Sequence, residues 1–447
     1  MIDVDLIVEG KYVLTMVEGA KPIEDGAVAI TAGKIVDVDS ASVITKKFKP
    51  ARKLGGHNKI VFPGLINTHT HAAMVYFRGL ADDLPLKQWL EDHIWPAEGK
   101  WLSVEFIADA VELACLEMLL AGITIYNDMY FFEDEAAKVS NQMGMRAVLG
   151  AGVLDFPTSS AKDADGHIEN AKRFIENWLG DELITPSIAP HAPYTCSPDT
   201  FKKVKAVAEY YDVPLHTHLA ETESEITIVY NMYGSTPVKL LNSIGFLDKR
   251  VVAAHCVWVS DDEIDILADK KVGVSHCIES NLKLSSGIAP VVKMLERGVH
   301  VTLGTDSAAS NNDLDIISEM AIAARLHKAM VKDPTVLNAE QTLTMATRYG
   351  AEALGLDKKI GTLEQSKAAD LVIVDIKKPH LMPFYDVYSL IVYTMRSSDV
   401  ESVIVNGELV VHNGHSTKKD ENEILEKVLW WSDKIKHDSI YMKRKRT

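Results

Sequence analysis

The sequence predicts an α/β protein: a (β/α)8 TIM-type barrel carrying a small β-sandwich domain built from both chain ends. Three observations lead there. Eight strand-length apolar runs alternate with amphipathic, helix-length segments between about residues 60 and 360. Both ends have instead the alternating, glycine-punctuated texture of half-buried antiparallel strands. Most tellingly, histidines and acids recur at the C-terminal ends of the predicted barrel strands, where such a barrel gathers its chemistry.

Residues 1–60 supply the first part of the terminal domain, in "DLIVEGKYVLTM" and "GAVAITAGKIVDVDS". Residues 61–362 read as the barrel. Its eight runs are "KIVFPGLINTHTH", "GITIYNDMY", "RAVLGAGVL", "LITPSIAPHAP", "VPLHTHLAE", "RVVAAHCVW", "KVGVSHC" and "HVTLGTDS". Between them "SPDTFKKVKAVAEYY" reads as a helix with Ser197 as N-cap and Pro198 at its first position. "SVEFIADAVELACLEMLLAG" has a continuous apolar stripe and stops at Gly122. Periodicity does not show closure, so a doubly wound sheet stays open as the second choice. Residues 363–447 return to strands, with Asn406-Gly407 as a hairpin signal, then an amphipathic helix on which Trp430 and Trp431 pack against the body, and a solvated basic tail.

Size and composition narrow the function. The chain has 447 residues, 47% apolar and 25% charged, as expected of a soluble globular protein. A net charge of −16 argues against a nucleic-acid partner. No apolar run is long enough for a membrane span, and "MIDVDLIVEGKYV" lacks the basic and apolar regions of a signal peptide. Cys115, Cys196, Cys256 and Cys277 are scattered and read as reduced core thiols of a cytoplasmic protein. The oligomeric state is left open, and a homo-oligomer is compatible with everything here.

His69 and His71 close the first barrel run, and their spacing of two lets both face one ion. His191 closes the fourth; His218 closes the fifth, with Glu221 three residues on. His255, His276 and Asp306 close the sixth, seventh and eighth. Three imidazoles and one carboxylate, His69, His71, His218 and Asp306, make the ligand set of a catalytic metal site with one open position. Cys256 and Cys277 adjoin His255 and His276 and point the other way. His57, His93, His216, His300, His327, His380, His412, His415 and His437 are expected to be satisfied core residues. His216 shares a face with His218 but lies one layer deeper, so it supports or fills rather than ligates.

The set "PGLINTHTH", "LPLKQWLEDHIWPAEGKW", "PHAPYTCS", "HLAETESE", "AHCVW", "SNLKLSSGIAPV" and "GTDSAASNNDLDIISEM" resembles the amidohydrolase superfamily. The match is to its deaminase branch with one metal ion, most closely the 5-methylthioadenosine/S-adenosylhomocysteine deaminases. The resemblance implies a metal on His69, His71, His218 and Asp306, Glu221 as proton shuttle and His255 placing the water. It also implies that Glu98 binds the ribose hydroxyls and that His191 faces the substrate. The expected reaction is hydrolytic deamination of an adenosine-type nucleoside to the inosine analogue and ammonia. The substrates are 5-methylthioadenosine, S-adenosylhomocysteine, adenosine or 5-deoxyadenosine.

The chemistry agrees, since a divalent ion lowers the pKa of a water it binds from 15.7 to about 7. Zinc is the first choice of metal, with Fe2+, Mn2+ and Ni2+ accepting the same ligands. "SIAPHAPY" has no lysine to bridge a second ion. After the third run no arginine occurs until Arg173, with His167 and Lys162 near the place where one would grip a substrate carboxylate, so neutral adenosines are favoured. "SHCIESNLKL" has Cys277 and Ile278 where an Asn-Pro pair is expected, which leaves the setting of His276 open. Two alternatives remain: a deaminase of another heterocycle (guanine, cytosine, a pterin or an s-triazine), and a scaffold without activity.

Overall fold

In the computed structural model, which describes residues 1–437, the terminal segments and the middle form two separate eight-stranded sheets. The first begins with β1 (Ile2–Val13), β2 (Ile23–Thr31), β3 (Lys34–Ser40) and β4 (Phe48–Pro63). The barrel strands are β5 (Leu65–Thr70), β6 (Ile123–Tyr130), β7 (Arg146–Val153), β8 (Ile184–Pro190), β9 (Leu215–Leu219), β10 (Val251–His255), β11 (Gly273–His276) and β12 (His300–Leu303). The chain returns to the first sheet with β13 (Leu371–Asp375), β14 (Val400–Val405), β15 (Glu408–His412) and β16 (His415–Ser416). Its order is β16-β15-β14-β13-β4-β1-β2-β3, so the two chain ends meet at the β4–β13 pair.

Each of the eight expected barrel runs contains one barrel strand, and neighbours from β5 to β12 are all parallel. Across the join from β12 to β5, Asp306 N donates to His69 O at 3.0 Å and Thr68 Oγ1 donates to Leu303 O at 2.8 Å. That removes the doubly wound alternative. The strands read as near-continuous apolar runs because helices cover them outside and side chains fill them inside.

The predicted punctuation appears where its chemistry requires it. Ser197 Oγ accepts from Thr200 N ahead of the helix Pro198–Tyr211, and Gly122 follows the helix Val104–Leu120 at φ +85°. Asn406 and Gly407 both have positive φ, as the tight hairpin between β14 and β15 demands. Only Gly64 separates β4 from β5, and an added Cβ there would lie 1.9 Å from Thr124 Oγ1. The terminal sheet thus hands the chain to the barrel at a point where the backbone passes close to Thr124.

Two expectations are corrected. The terminal sheet is not wholly antiparallel: β1 pairs with β4 in parallel, because the helix Ala41–Lys47 carries the chain back after β3. Of the two C-terminal tryptophans only Trp431 is buried, packing on Phe106 with Nε1 donating to Asp109. Trp430 is 45% exposed, since it takes the outer face of the helix Glu421–Lys436, where Lys434 covers it. The basic tail lies outside the described residues. No helix among those described is long and apolar enough to cross a membrane.

Candidate metal centre and active site

β5 carries His69 near its end with His71 just beyond it, β9 carries His218, and the turn after β12 holds Asp306 at φ +61°. These four converge. Asp306 Oδ1 lies 3.3 Å from His69 Nε2 and 3.4 Å from His71 Nε2, and the Nε2 atoms of His71 and His218 are 3.2 Å apart.

The proton positions follow from the other ring nitrogens. His71 Nδ1 faces Met129 O at 2.6 Å and His218 Nδ1 faces His191 O at 2.9 Å. A carbonyl only accepts, so both Nδ1 atoms carry the hydrogen and both Nε2 lone pairs point inward. His216 Nδ1 faces Asp128 O, which makes its Nε2 the acceptor for His69 Nδ1 at 2.9 Å. His69 Nε2 is then also a bare lone pair, fully buried and without a hydrogen-bond partner.

Lone pairs and a carboxylate oxygen facing one another without a proton repel, so this arrangement calls for a cation. Ligands bonded at about 2.05 Å in tetrahedral geometry stand about 3.3 Å apart, which the observed separations match. The residues therefore fit a divalent ion.

The carboxylate is held from behind. Asp306 Oδ2 accepts from Ser280 Oγ at 2.6 Å and Ser310 Oγ at 2.7 Å, leaving Oδ1 to face the imidazoles. Burial opposes its charge, but positive charge beside it, on the imidazoles or on a cation they hold, would keep Asp306 well below the usual carboxylate range. Burial lowers His69 to about 4 despite the Asp306 carboxylate beside it, and lowers His218 well below its ordinary value.

His255 ends β10 at φ +73°, with Nδ1 donating to Asn281 Oδ1 at 2.9 Å and Nε2 turned inward, 3.8 Å from Glu221 Oε2. Burial raises the pKa of Glu221, with His255 partly offsetting it. That suits a carboxyl that must both take and give a proton.

The cavity above this cluster is walled by Trp89, Leu90, Trp95 and Phe156 and includes Glu98, His191, His218, Glu221, His255 and Asp306. Glu98 sits in the helix Trp95–Trp101. There Pro96 has no N–H for the preceding turn, which widens into a π-turn over Leu90–Ile94. Tyr130 Oη donates to Glu98 Oε1 at 2.6 Å, and burial raises the carboxyl to about 6. His191 Nδ1 bonds Thr195 Oγ1 at 2.8 Å. His167 and Arg173 line a separate hollow that shares only Tyr130, Phe131 and Gly152 with this cavity.

Other expectations need correction. Of the nine histidines expected in the core, only His216 and His327 are buried; His57, His300, His415 and His437 are exposed and the rest half-buried. A single imidazole near a turn or helix end carries no periodic signal of which face it takes. His276 stays outside the cluster, its Nε2 3.0 Å from His327 Nε2. All four cysteines are buried and unpaired. Sequence reasoning missed Ser280, Ser310, Asn281 and Tyr130. The two serines and Asn281 stand inside quoted motifs, but nothing in a motif says which distant side chain they hold.

Known proteins were compared with this chain. Residues 60–410 match the model described as "Amidohydrolase family". The 5-methylthioadenosine/S-adenosylhomocysteine deaminase of Thermodesulfovibrio yellowstonii is 52% identical over 96% of this chain and 99% of its own. The 5'-deoxyadenosine deaminase of Methanosarcina acetivorans is 46% identical over 94% of this chain and 96% of its own. The crystal structure of an adenosine deaminase from Xanthomonas campestris with bound zinc superposes with a TM-score of 0.96 at 39% identity, covering 98% of this chain and 100% of that one.

Proposed function

The chain belongs to the amidohydrolase family, and from that footing we propose that it is a metal-dependent hydrolase that deaminates adenosine-type nucleosides to the inosine analogue and ammonia. The substrates are 5-methylthioadenosine, S-adenosylhomocysteine, adenosine and 5'-deoxyadenosine. The observation that carries the reading is the meeting of three unprotonated imidazole nitrogens with one oxygen of Asp306, beside a buried glutamate that is not among them.

His69, His71, His218 and Asp306 would hold the ion, with zinc the first choice because a zinc-bound relative has the same fold. When bound, the ion supplies Lewis acidity, making a water nucleophilic near neutral pH. Asp306, its Oδ2 tied by two hydroxyls, presents Oδ1 to take a proton from the attacking water. Glu221 delivers its proton to the ring nitrogen beside the amino-bearing carbon; the proton taken by Asp306 then goes to the departing ammonia, and the new hydroxyl on that carbon returns a proton to Glu221 as the carbonyl forms. His255, its tautomer fixed by Asn281, aims Nε2 at the same water. Glu98, steadied by Tyr130, binds the ribose hydroxyls, and His191 faces the purine. The aromatic wall excludes bulk water, which strengthens each of these interactions.

No lysine or arginine lines the cavity among the described residues. Neutral 5'-substituents should therefore be turned over more efficiently than the carboxylate-bearing S-adenosylhomocysteine. Action in a reducing compartment such as the cytoplasm is supported by the four buried, unpaired cysteines.

A nucleoside panel with metal-replete protein tests the reading through ammonia release. Turnover of 5-methylthioadenosine with a higher kcat/KM than S-adenosylhomocysteine is expected; no turnover of any adenosine overturns it. Glu98→Ala should raise the nucleoside KM with little change in kcat, whereas an unchanged KM would favour a substrate without a ribose.

A further inference from the structure

The sequence Thr222-Glu223-Ser224-Glu225 opens the helix Glu223–Tyr233 and has the spacing of a capping box. In such a box the third residue after the cap accepts the cap residue's own N–H. Glu263 does this in the molecule, taking Ser260 N at 2.8 Å. Glu225 begins the same way, its N–H donating to Thr222 Oγ1 at 3.1 Å. Its carboxylate then reaches past the cap: Oε2 accepts from Glu221 N at 2.8 Å and Oε1 from Ala220 N at 3.0 Å.

These two amides belong to the turn that carries the chain from His218 to Glu221. Ala220 stands at φ +52°, a conformation alanine avoids unless the surroundings impose it. The tip of Glu221, by contrast, is barely held. Its nearest polar neighbours are Ser286 Oγ at 3.5 Å and His255 Nε2 at 3.8 Å, both beyond a normal hydrogen bond. A side chain so loosely held at its tip is placed by its backbone, which Glu225 grips through two amides while Trp258 N donates to Ala220 O at 2.9 Å. Glu225 is only 2% exposed, so solvent is poorly placed to replace it.

We propose that Glu225 is a positioning residue for Glu221, bracketing two consecutive amides so that the Glu221 carboxyl stands where a proton must be exchanged. This rests on the reading of Glu221 as proton carrier. The cap and the bracket are separable functions: Thr222 satisfies the helix end, and Glu225 is aimed at the catalytic turn.

The test compares Glu225→Gln, which keeps shape and one acceptor oxygen, with Glu225→Met, which keeps length and volume but accepts nothing. Misplacement of a reacting group by about an ångström can cost about 10²-fold in rate. For 5-methylthioadenosine, kcat should accordingly fall about tenfold in the Gln variant and about a hundredfold in the Met variant. KM, metal content and affinity for the inosine-type product should stay within about twofold. Affinity for a nucleoside analogue with a tetrahedral, hydrated purine carbon should fall in parallel with kcat. A role limited to filling space predicts a Met variant as active as the parent.

The proposal is overturned if folded variants keep kcat within about threefold of the parent, or if metal and product affinity fall together with it. Should the Met variant not fold, the Gln variant decides alone. Crystal structures of the variants decide without turnover, a displaced Glu221 carboxyl supporting the bracket and an unmoved one ending it. Glu221→Gln in the parent separates the two readings. Full activity there removes the role of Glu221 itself, whatever Glu225 does.

Discussion

In the proposed reaction Glu221 and Asp306 would divide the proton chemistry, because their surroundings push two carboxyls in opposite directions. Asp306 stays ionised beside the imidazoles, while burial raises Glu221. Glu221→Gln should therefore lower kcat by about 10²- to 10⁴-fold while leaving metal content intact, as read by steady-state kinetics beside elemental analysis. The hydroxyls of Ser280 and Ser310 bond Asp306, the proposed metal ligand, and would act through it rather than on the substrate. Removing both, as Ser280→Ala with Ser310→Ala, should weaken metal binding by about 10- to 100-fold in a competition titration with a chelator. That His69, His71, His218 and Asp306 come together was legible, because each stands at or just past the C-terminal end of a barrel strand, and those ends converge. The serines were not. A hydroxyl on a short helix or in a turn is unremarkable until the fold shows that it donates to Asp306, 26 residues from Ser280 and four from Ser310.

Among the elements, β5 shows how much rests on a single link. Gly64 joins the terminal sheet to the strand bearing His69 and His71, and it faces Thr124 too closely for any Cβ. Gly64→Ala should destabilise the protein by about 1–3 kcal/mol, seen as a lower urea midpoint at unchanged m-value. Outside the site, the helix Ile316–Val331 buries His327 against His276, and burial alone lowers His327 to about 4. The unfolded imidazole, at its ordinary 6.5, takes up a proton first as the pH falls. This contribution to stability is thus complete above about pH 6.5 and lost as the pH falls toward 4. The slope of unfolding free energy against pH should be shallower in His327→Gln between pH 6.5 and 4.5, by on the order of 1.4 kcal/mol per unit at most. The helices and turns themselves were readable, since Ser197, Gly122 and Asn406-Gly407 act through local backbone chemistry alone.

At the scale of the molecule, the two sheets are pinned together by one buried ion pair. Arg146 on β7 donates through Nε and Nη2 to Asp370 at 2.9 and 3.1 Å, both residues almost fully buried. Asp370 also accepts Asn406 N at 2.7 Å, so barrel, β13 and the β14–β15 turn share one carboxylate. Asp370→Ala leaves the guanidinium uncompensated and should cost about 3–5 kcal/mol in denaturant unfolding. Sequence alone determined the eight strand–helix units, the terminal domain built from both ends and the residues that gather at the strand ends, whereas closure of the barrel was decided by the contacts between β12 and β5. Period, turn chemistry and strand-end position are local properties that a linear pattern records. Tertiary structure alone decided which lone pairs face one another, which serines hold Asp306, and that Glu225 reaches past its helix cap to the turn bearing Glu221. Those outcomes depend on distances between atoms far apart in the chain, or on a rotamer, and neither leaves a periodic trace.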